Sequence, residues 1–261
     1  MAMKDGNMTE HQGRHALVTG GGTGIGLGIA RALAEAGAEV TITGRNISRL
    51  EEVAEAHPRL HPLQMDVSDE PSVRQGIASA ARAHGPVAIC VANAGIAEPM
   101  PFARITLDHW RKTMTTNLDG AFLTLQAALA TLGPEDWGRM IGVSSIAGVR
   151  GLENAIAYTA SKHALIGIMR GLSEEYRPSN ITFNALCPGY VDTPIVARNA
   201  HDIATRLGMT EAEARAYLAG GNRHKTLLDT DEITGAAIWL CSDSARSVNG
   251  QTIQIAGGQV A

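Results

Sequence analysis

HALVTGGGTGIG, residues 15–26, decides how the rest of the chain is read. His15 to Thr19 is a short apolar run ended by glycines, the pattern of a buried strand. Gly20 to Gly24 form a turn, and GIGLGIARALAEAG carries on with helical spacing. In a strand–glycine turn–helix unit, the free N–H groups at the helix start can face a phosphate, and side-chain-free residues let the backbone approach it. The strict GxGxxG spacing is absent, so the turn alone also fits an ordinary tight connection. Its place after the first strand of an alternating chain favours the phosphate reading.

Outward from this unit, short apolar runs alternate with longer amphipathic ones. AEVTITG (38–44), LHPLQMD (60–66), VAICVANAG (87–95), RMIGVSS (139–145), ITFNALCPG (181–189) and QTIQIAGG (251–258) read as further strands. Helices are predicted over SRLEEVAEA and at about 69–84, 106–132, 155–177 and 230–241. Alternation of this kind predicts an α/β fold: about seven parallel strands in one sheet, with helices on both faces. One domain over 14–261 is expected, behind a mobile tail at 1–13. A long segment, 194–229, follows a strand end and holds two predicted helices; its position reads as a lid over a ligand.

Composition narrows the function. The net charge of −4 offers no electrostatic footprint for nucleic acid or an anionic membrane. Cys90, Cys187 and Cys241 are far apart and odd in number, which speaks against a disulfide framework or zinc site and for a reducing, cytoplasmic setting. No secretory pattern or spanning apolar stretch is present. His57, His61, His84 and His109 show no metal-ligand spacing, so no metal is expected.

Two features carry chemistry. Tyr158-Thr159-Ala160-Ser161-Lys162 places a phenol and an ammonium on one helix face. A nearby positive charge favours phenolate, and such a tyrosine can exchange a proton with a carbonyl or alcohol oxygen. Ser145, at a strand end, could hydrogen-bond the same oxygen. Arg45, after the second strand, stands where an acidic residue would hold ribose hydroxyls; a guanidinium there suits a 2′-phosphate, favouring NADP(H) with NAD(H) as the alternative.

These motifs in this order resemble the short-chain dehydrogenase/reductase family over residues 14–258: TGGGTGIG (19–26), Asp66-Val67, Asn93-Ala94-Gly95, Asn117-Leu118, Ser145, YTASK (158–162) and CPGYVDTP (187–194). The resemblance implies a Rossmann-like sheet and a hydride-transferring oxidoreductase. It implies Tyr158 as general acid/base, Lys162 as its partner and holder of the nicotinamide ribose, Ser145 as orienter of the substrate oxygen, and Asn117 as holder of a relay water. It places Gly20, Gly22, Thr23, Gly24, Ile25 and Gly26 at the pyrophosphate, Asp66 and Val67 at adenine, and Asn93, Ala94 and Gly95 at the ribose. Pro188, Gly189, Val191 and Thr193 fall at the nicotinamide. Ala92 replaces a usual Asn, and Thr23 is neutral where many NADP-preferring relatives are basic.

The substrate is expected near Ser145, Ala147, Leu152, Tyr158 and Tyr190, with Ala97, Val149 and Ala155 around them, an apolar lining suited to a ketone or secondary alcohol with a hydrophobic body. The chain is similar to 3-oxoacyl and polyketide ketoreductases and to 3-hydroxybutyrate dehydrogenases. Alanines at 97, 147 and 155 disfavour the small hydroxy acid of the last group. A dinucleotide sensor without catalysis is a further alternative, opposed by the intact Ser145, Tyr158 and Lys162. The helix carrying Tyr158 is apolar nearly all round, which predicts a homo-oligomer, a dimer or tetramer.

Overall fold

The computed structural model describes residues 10–260. Strands β1 (His15–Thr19), β2 (Glu39–Gly44), β3 (Leu60–Gln64), β4 (Val87–Ala92), β5 (Trp137–Val143), β6 (Asn180–Pro188) and β7 (Thr252–Ile255) form a parallel sheet in the order β3-β2-β1-β4-β5-β6-β7. The chain winds outward in both directions from the β1/β4 pair, so a crevice opens between the carboxyl ends of these strands.

Alternation within each strand builds two cores. Ala16, Val18, Ile89, Val91 and Ile141 point to one face, where α1 (Gly24–Glu35), α2 (Ile47–Ala54) and α9 (Thr230–Cys241) cover them. Leu17, Cys90, Ala92, Met140 and Phe183 point to the other, under α3 (Glu70–His84), α5 (Gly120–Leu129) and α6 (Ile156–Glu175). Near-continuous apolar strands are what a sheet covered on both sides requires. The expected fold class and strand positions are those observed.

The single helix expected at about 106–132 is instead α4 (Leu107–Met114) and α5, joined by a π-helical turn, Thr115–Asp119. A wide turn of this kind re-aims side chains locally. Here Asn117 lies inside the turn and is 1 % exposed.

The segment 194–229 holds α7 (Pro194–Leu207) and α8 (Glu211–Ala219). Thr193 caps α7 with Pro194 in its first turn, Gly208 ends it at φ +67°, and Thr210 with Glu213 forms a capping box for α8. Val196, Ala200 and Ala204 pack on Ala214 and Leu218 as a small core of their own. A bridge between Val191 and Leu228 closes the neck of this segment.

Most of the expected tail lies outside the described residues. The part that is described, 10–13, is a turn held down by His11, whose N–H donates to Ala36 O at 2.9 Å and whose side chain is fully buried near Trp137. An imidazole with an aromatic surface to pack on is no free end. Among the described residues, no helix is long and apolar enough to cross a membrane.

Candidate active site

The glycine turn is stitched to β4 by two side chains. Thr19 Oγ1 accepts from the N–H groups of Asn93 and Ala94, both at 3.0 Å. Asn93 Nδ2 donates to Thr19 O at 2.8 Å. Gly20 (φ +65°) and Gly24 (φ +54°) adopt the left-handed region that favours glycine. A Cβ on Gly26 would stand 2.5 Å from both Asn93 Nδ2 and Gly20 O, so α1 closes on the turn only because that carbon is missing.

Three cavities follow one another along the carboxyl edge of the sheet. The first, about 580 Å³, is walled by Gly20, Arg45, Asp66, Val67 and Ala94. The second, about 110 Å³, shares Gly95 and Ile96 with the first and adds Ile25, Pro188, Val191 and Thr193. The third, about 630 Å³, shares Ser145, Tyr158 and Gly189 with the second and runs under the 194–229 segment past Leu152, Tyr190 and Ile203. Of the expected cofactor positions, Gly20, Ile25, Arg45, Asp66, Val67, Asn93, Ala94, Gly95, Pro188, Gly189, Val191 and Thr193 line the first two cavities, and of the expected substrate positions Ser145, Leu152, Tyr158 and Tyr190 line the third.

At the wall between the second and third cavities stand the chemical groups. Ser145 follows β5 and caps the short turn Ile146–Gly148, accepting from Ala147 N at 3.1 Å. Its hydroxyl and the Tyr158 side chain line the same wall of both cavities. Burial pushes the Tyr158 phenol above its ordinary pKa, and the neighbouring Ser145 hydroxyl partly opposes this. One turn on, Lys162 is 4 % exposed and its ammonium donates to Val143 O at 2.8 Å. Burial lowers its pKa to about 8. Lys162 Nζ is 5.7 Å from the Tyr158 ring centroid. The phenol is thus raised by burial and not lowered as the YxxxK spacing leads one to expect.

Asn117 acts as a staple. Its Oδ1 accepts from Ile96 N at 2.8 Å, and its Nδ2 donates to Ile96 O at 2.9 Å and Ser161 Oγ at 3.1 Å. It thereby ties the 95–97 loop to α6; a Cβ on Gly95 would be 3.2 Å from Asn117 Oδ1 and 3.5 Å from Lys162 Nζ, so both groups lie against this glycine.

Not every expected residue faces a cavity. Ala147 is fully buried and outside the third cavity; its place is taken by Ile146, because the short helical turn after Ser145 rotates position 147 into the protein. Val149 packs beside the core beneath α6. Gly22, Thr23, Gly24 and Gly26 shape the turn without lining the cavities. Sequence reasoning missed Thr19, whose hydroxyl fixes the turn, and Ser144, which donates to Lys162 O at 2.9 Å. A polar residue ending an otherwise apolar strand was the available signal in both cases. Thr43, in the wall of the first cavity, was also missed; its buried hydroxyl has no partner.

A dinucleotide fits these features. The glycine turn leaves a cradle at the start of α1, Thr43 offers an unpaired hydroxyl, and Arg45 and Asp66 stand at the far end of the first cavity. Ser68 donates to Asp66 Oδ1 through both its hydroxyl and its N–H, which holds the carboxyl below its usual range and ionised. Ser145 and Tyr158 sit at the opposite end of the series.

A family described as short chain dehydrogenase matches residues 14–204. A 3-oxoacyl-acyl-carrier-protein reductase of Aquifex aeolicus is 31% identical over 252 residues, covering 95% of this chain and 97% of the relative. A cis-4-hydroxycyclohexanecarboxylate dehydrogenase of Sinomonas cyclohexanicum is 36% identical over 253 residues, covering 95% and 97%. Among solved structures, an actinorhodin polyketide ketoreductase with NADPH superposes with a TM-score of 0.91 at 28% identity, over 96% of this chain and 98% of that one.

Proposed function

The chain belongs to the short-chain dehydrogenase family, and from that premise we propose that it interconverts a hydrophobic ketone and its secondary alcohol, with NADP(H) preferred over NAD(H). As an oxidoreductase of this family it acts on CH–OH and C=O groups with a nicotinamide cofactor. The observation that carries the reading is the placement of Ser145 and Tyr158 together in the wall shared by the small and the large cavity, with Lys162 one helical turn on.

When bound, the cofactor supplies or accepts the hydride. The residues do the rest. Ser145 and Tyr158 present two hydroxyls to one substrate oxygen; Tyr158 gives its proton in reduction and takes one in oxidation. Lys162, desolvated beside Gly95, holds the nicotinamide ribose, and Asn117 fixes the 95–97 loop in the cavity wall. The turn from Gly20 to Gly26, with Ile25, receives the pyrophosphate; Asp66, Val67 and Asn93 to Gly95 receive the adenosine half. Pro188, Gly189, Val191 and Thr193 flank the nicotinamide. The unit 14–261 works as one domain, with 194–229 excluding water from the substrate.

The third cavity supports a substrate with an apolar body. Ala97 and Ala155 lie in its wall, and its charged residues are of both signs, Glu98, Glu153 and Asp202 against Arg104 and Arg206. A panel of ketones assayed with each cofactor tests this. Hydrophobic ketones turned over faster than acetoacetate, and with NADPH ahead of NADH, are expected; the reverse order overturns the substrate and cofactor readings separately.

A homo-oligomer, dimer or tetramer, is proposed through α5 and α6. Ile156 and Phe122 are exposed there, and Gly167 and Gly171 open onto free space. A monomeric mass by light scattering overturns it. The three free, buried cysteines support a reducing, cytoplasmic setting.

A further inference from the structure

We propose that Glu39, His61 and His84 form a binding site for a borderline divalent cation such as Zn²⁺, on the edge of the sheet opposite the candidate active site. The three residues are separate in sequence and come together by topology. Glu39 opens β2, His61 stands near the start of β3, and His84 ends α3, just before β4. In the β2/β3 register His61 lies opposite Thr41, two residues from Glu39 on the same face of β2. His61 Nε2 and Glu39 Oε2 are 2.7 Å apart. The His84 ring stacks on His61, with centroids 3.8 Å apart and planes 20° from parallel.

One ligand atom from each residue falls within 4.8 Å of the others. The donor set, two imidazoles and one carboxylate, suits zinc-type cations and not Ca²⁺ or Mg²⁺, which take mainly oxygen ligands. The surroundings prepare it. Arg59 engages Glu39 Oε1 and leaves Oε2 toward the histidines. His15, behind His84, is excluded as a ligand because Gly85 O and Thr41 Oγ1 occupy its two nitrogens. His84 has no hydrogen-bond partner among the described residues; an Arg59–Glu39–His61 network by itself leaves that half-buried imidazole unexplained.

Binding requires two local changes. A metal lies in the plane of each imidazole it binds, so the His84 ring must turn out of the stack. The proton on His61 Nε2 must move to Nδ1, which leaves the Nε2 lone pair for the metal. Three protein ligands then leave one tetrahedral position for water. The cation would fasten the starts of β2 and β3 to the end of α3.

Calorimetric titration of the metal-free full-length protein with ZnCl₂, paired with thermal melts, tests the site. One Zn²⁺ per chain and a raised Tm are expected, with no response to MgCl₂. His84→Ala and Glu39→Gln should each weaken Zn²⁺ binding by at least about tenfold, a loss of the size seen when metal-site residues are removed. His201→Ala, at the exposed His201–Glu211 pair, should leave it unchanged. NADPH binding retained by each variant reports a folded protein. No Zn²⁺ uptake by the wild type, or wild-type affinity in both His84→Ala and Glu39→Gln, overturns the proposal.

Discussion

Lys162 Nζ hydrogen-bonds the carbonyl oxygen of Val143 at 2.8 Å and lies 5.7 Å from the centroid of the Tyr158 ring. The ammonium is thus tied to the end of β5. With burial as the dominant cause, its pKa falls to about 8 from the ordinary lysine value of 10.5. The folded protein therefore releases this proton at lower pH than the unfolded chain does.

A stability prediction follows with a definite sign. Below about pH 8 the folded state carries the full cost of a buried ammonium, and above 10.5 neither state is charged at Lys162. Between these values the unfolded chain holds the extra proton, so this group makes stability rise with pH. The gain is roughly 3 kcal/mol across the window, at about 1.4 kcal/mol per pH unit. Urea unfolding of wild type and Lys162→Met at both ends of the window checks it: the wild type should gain on the variant as pH rises, and parallel curves would refute the effect.

Tyr158 titrates in the opposite sense to what the YxxxK spacing suggests, because burial raises its pKa. In carbonyl reduction the phenol is the acid and is already protonated at neutral pH, so kcat/KM should be flat until the pH approaches the phenol pKa. Alcohol oxidation needs the phenolate and should accelerate as pH rises. Tyr158→Phe should lower both rates by about 10²- to 10⁴-fold, the usual worth of a positioned acid or base, while cofactor still binds. Initial rates in both directions against pH decide it; an oxidation rate that stays level as pH rises speaks against Tyr158 as the base.

The fold was legible because each strand alternates cleanly or is apolar throughout, and because the glycine turn marks the first crossover. Helix ends at 70–84, 156–175 and 230–241 lie within a residue or two of their expected positions. The π-helical turn at Thr115–Asp119 was not legible, since periodicity of 3.6 is interrupted by a single local widening. Nor were contacts between distant chain segments. Asn93 holding Thr19 O, Asn117 holding Ile96, and the meeting of Glu39 with His61 and His84 all depend on sheet order and register. Ala147 shows a third limit: the sequence places it two residues after Ser145, but the backbone turn makes Ile146 and not Ala147 face the cavity.

Gly26→Ala tests the packing of α1 on the glycine turn. The added carbon meets Asn93 Nδ2 and the backbone oxygen of Gly20 at 2.5 Å, and the second of these has no room to yield. Overpacking of this kind costs about 1–3 kcal/mol, and the displaced turn should also bind cofactor less well. Gly235→Ala, with nothing within 4 Å of the new carbon on α9, is the control and should raise or hold stability. Thermal melts with and without NADPH measure both effects. A Gly26→Ala protein with wild-type Tm and NADPH affinity contradicts the close approach.

Arg45 tests the cofactor preference. It lies in the wall of the first cavity after β2, close enough to Asp66 to help keep that carboxyl ionised. A guanidinium there adds a charge-assisted hydrogen bond to a 2′-phosphate, worth about 1.5–3 kcal/mol, or roughly ten- to a hundredfold in affinity. NADH has no such phosphate, so Arg45→Ala should weaken NADPH by that factor and leave NADH nearly unchanged. Arg45→Asp should go further, because a carboxylate at this strand end accepts from ribose hydroxyls and repels a phosphate. Dissociation constants for both cofactors, measured by fluorescence on wild type and the two variants, give the answer. Because surface charge pairs are screened, the wild-type preference should also narrow as salt is added. Equal losses for NADPH and NADH in Arg45→Ala would show that Arg45 supports the fold of the cavity and does not read the phosphate.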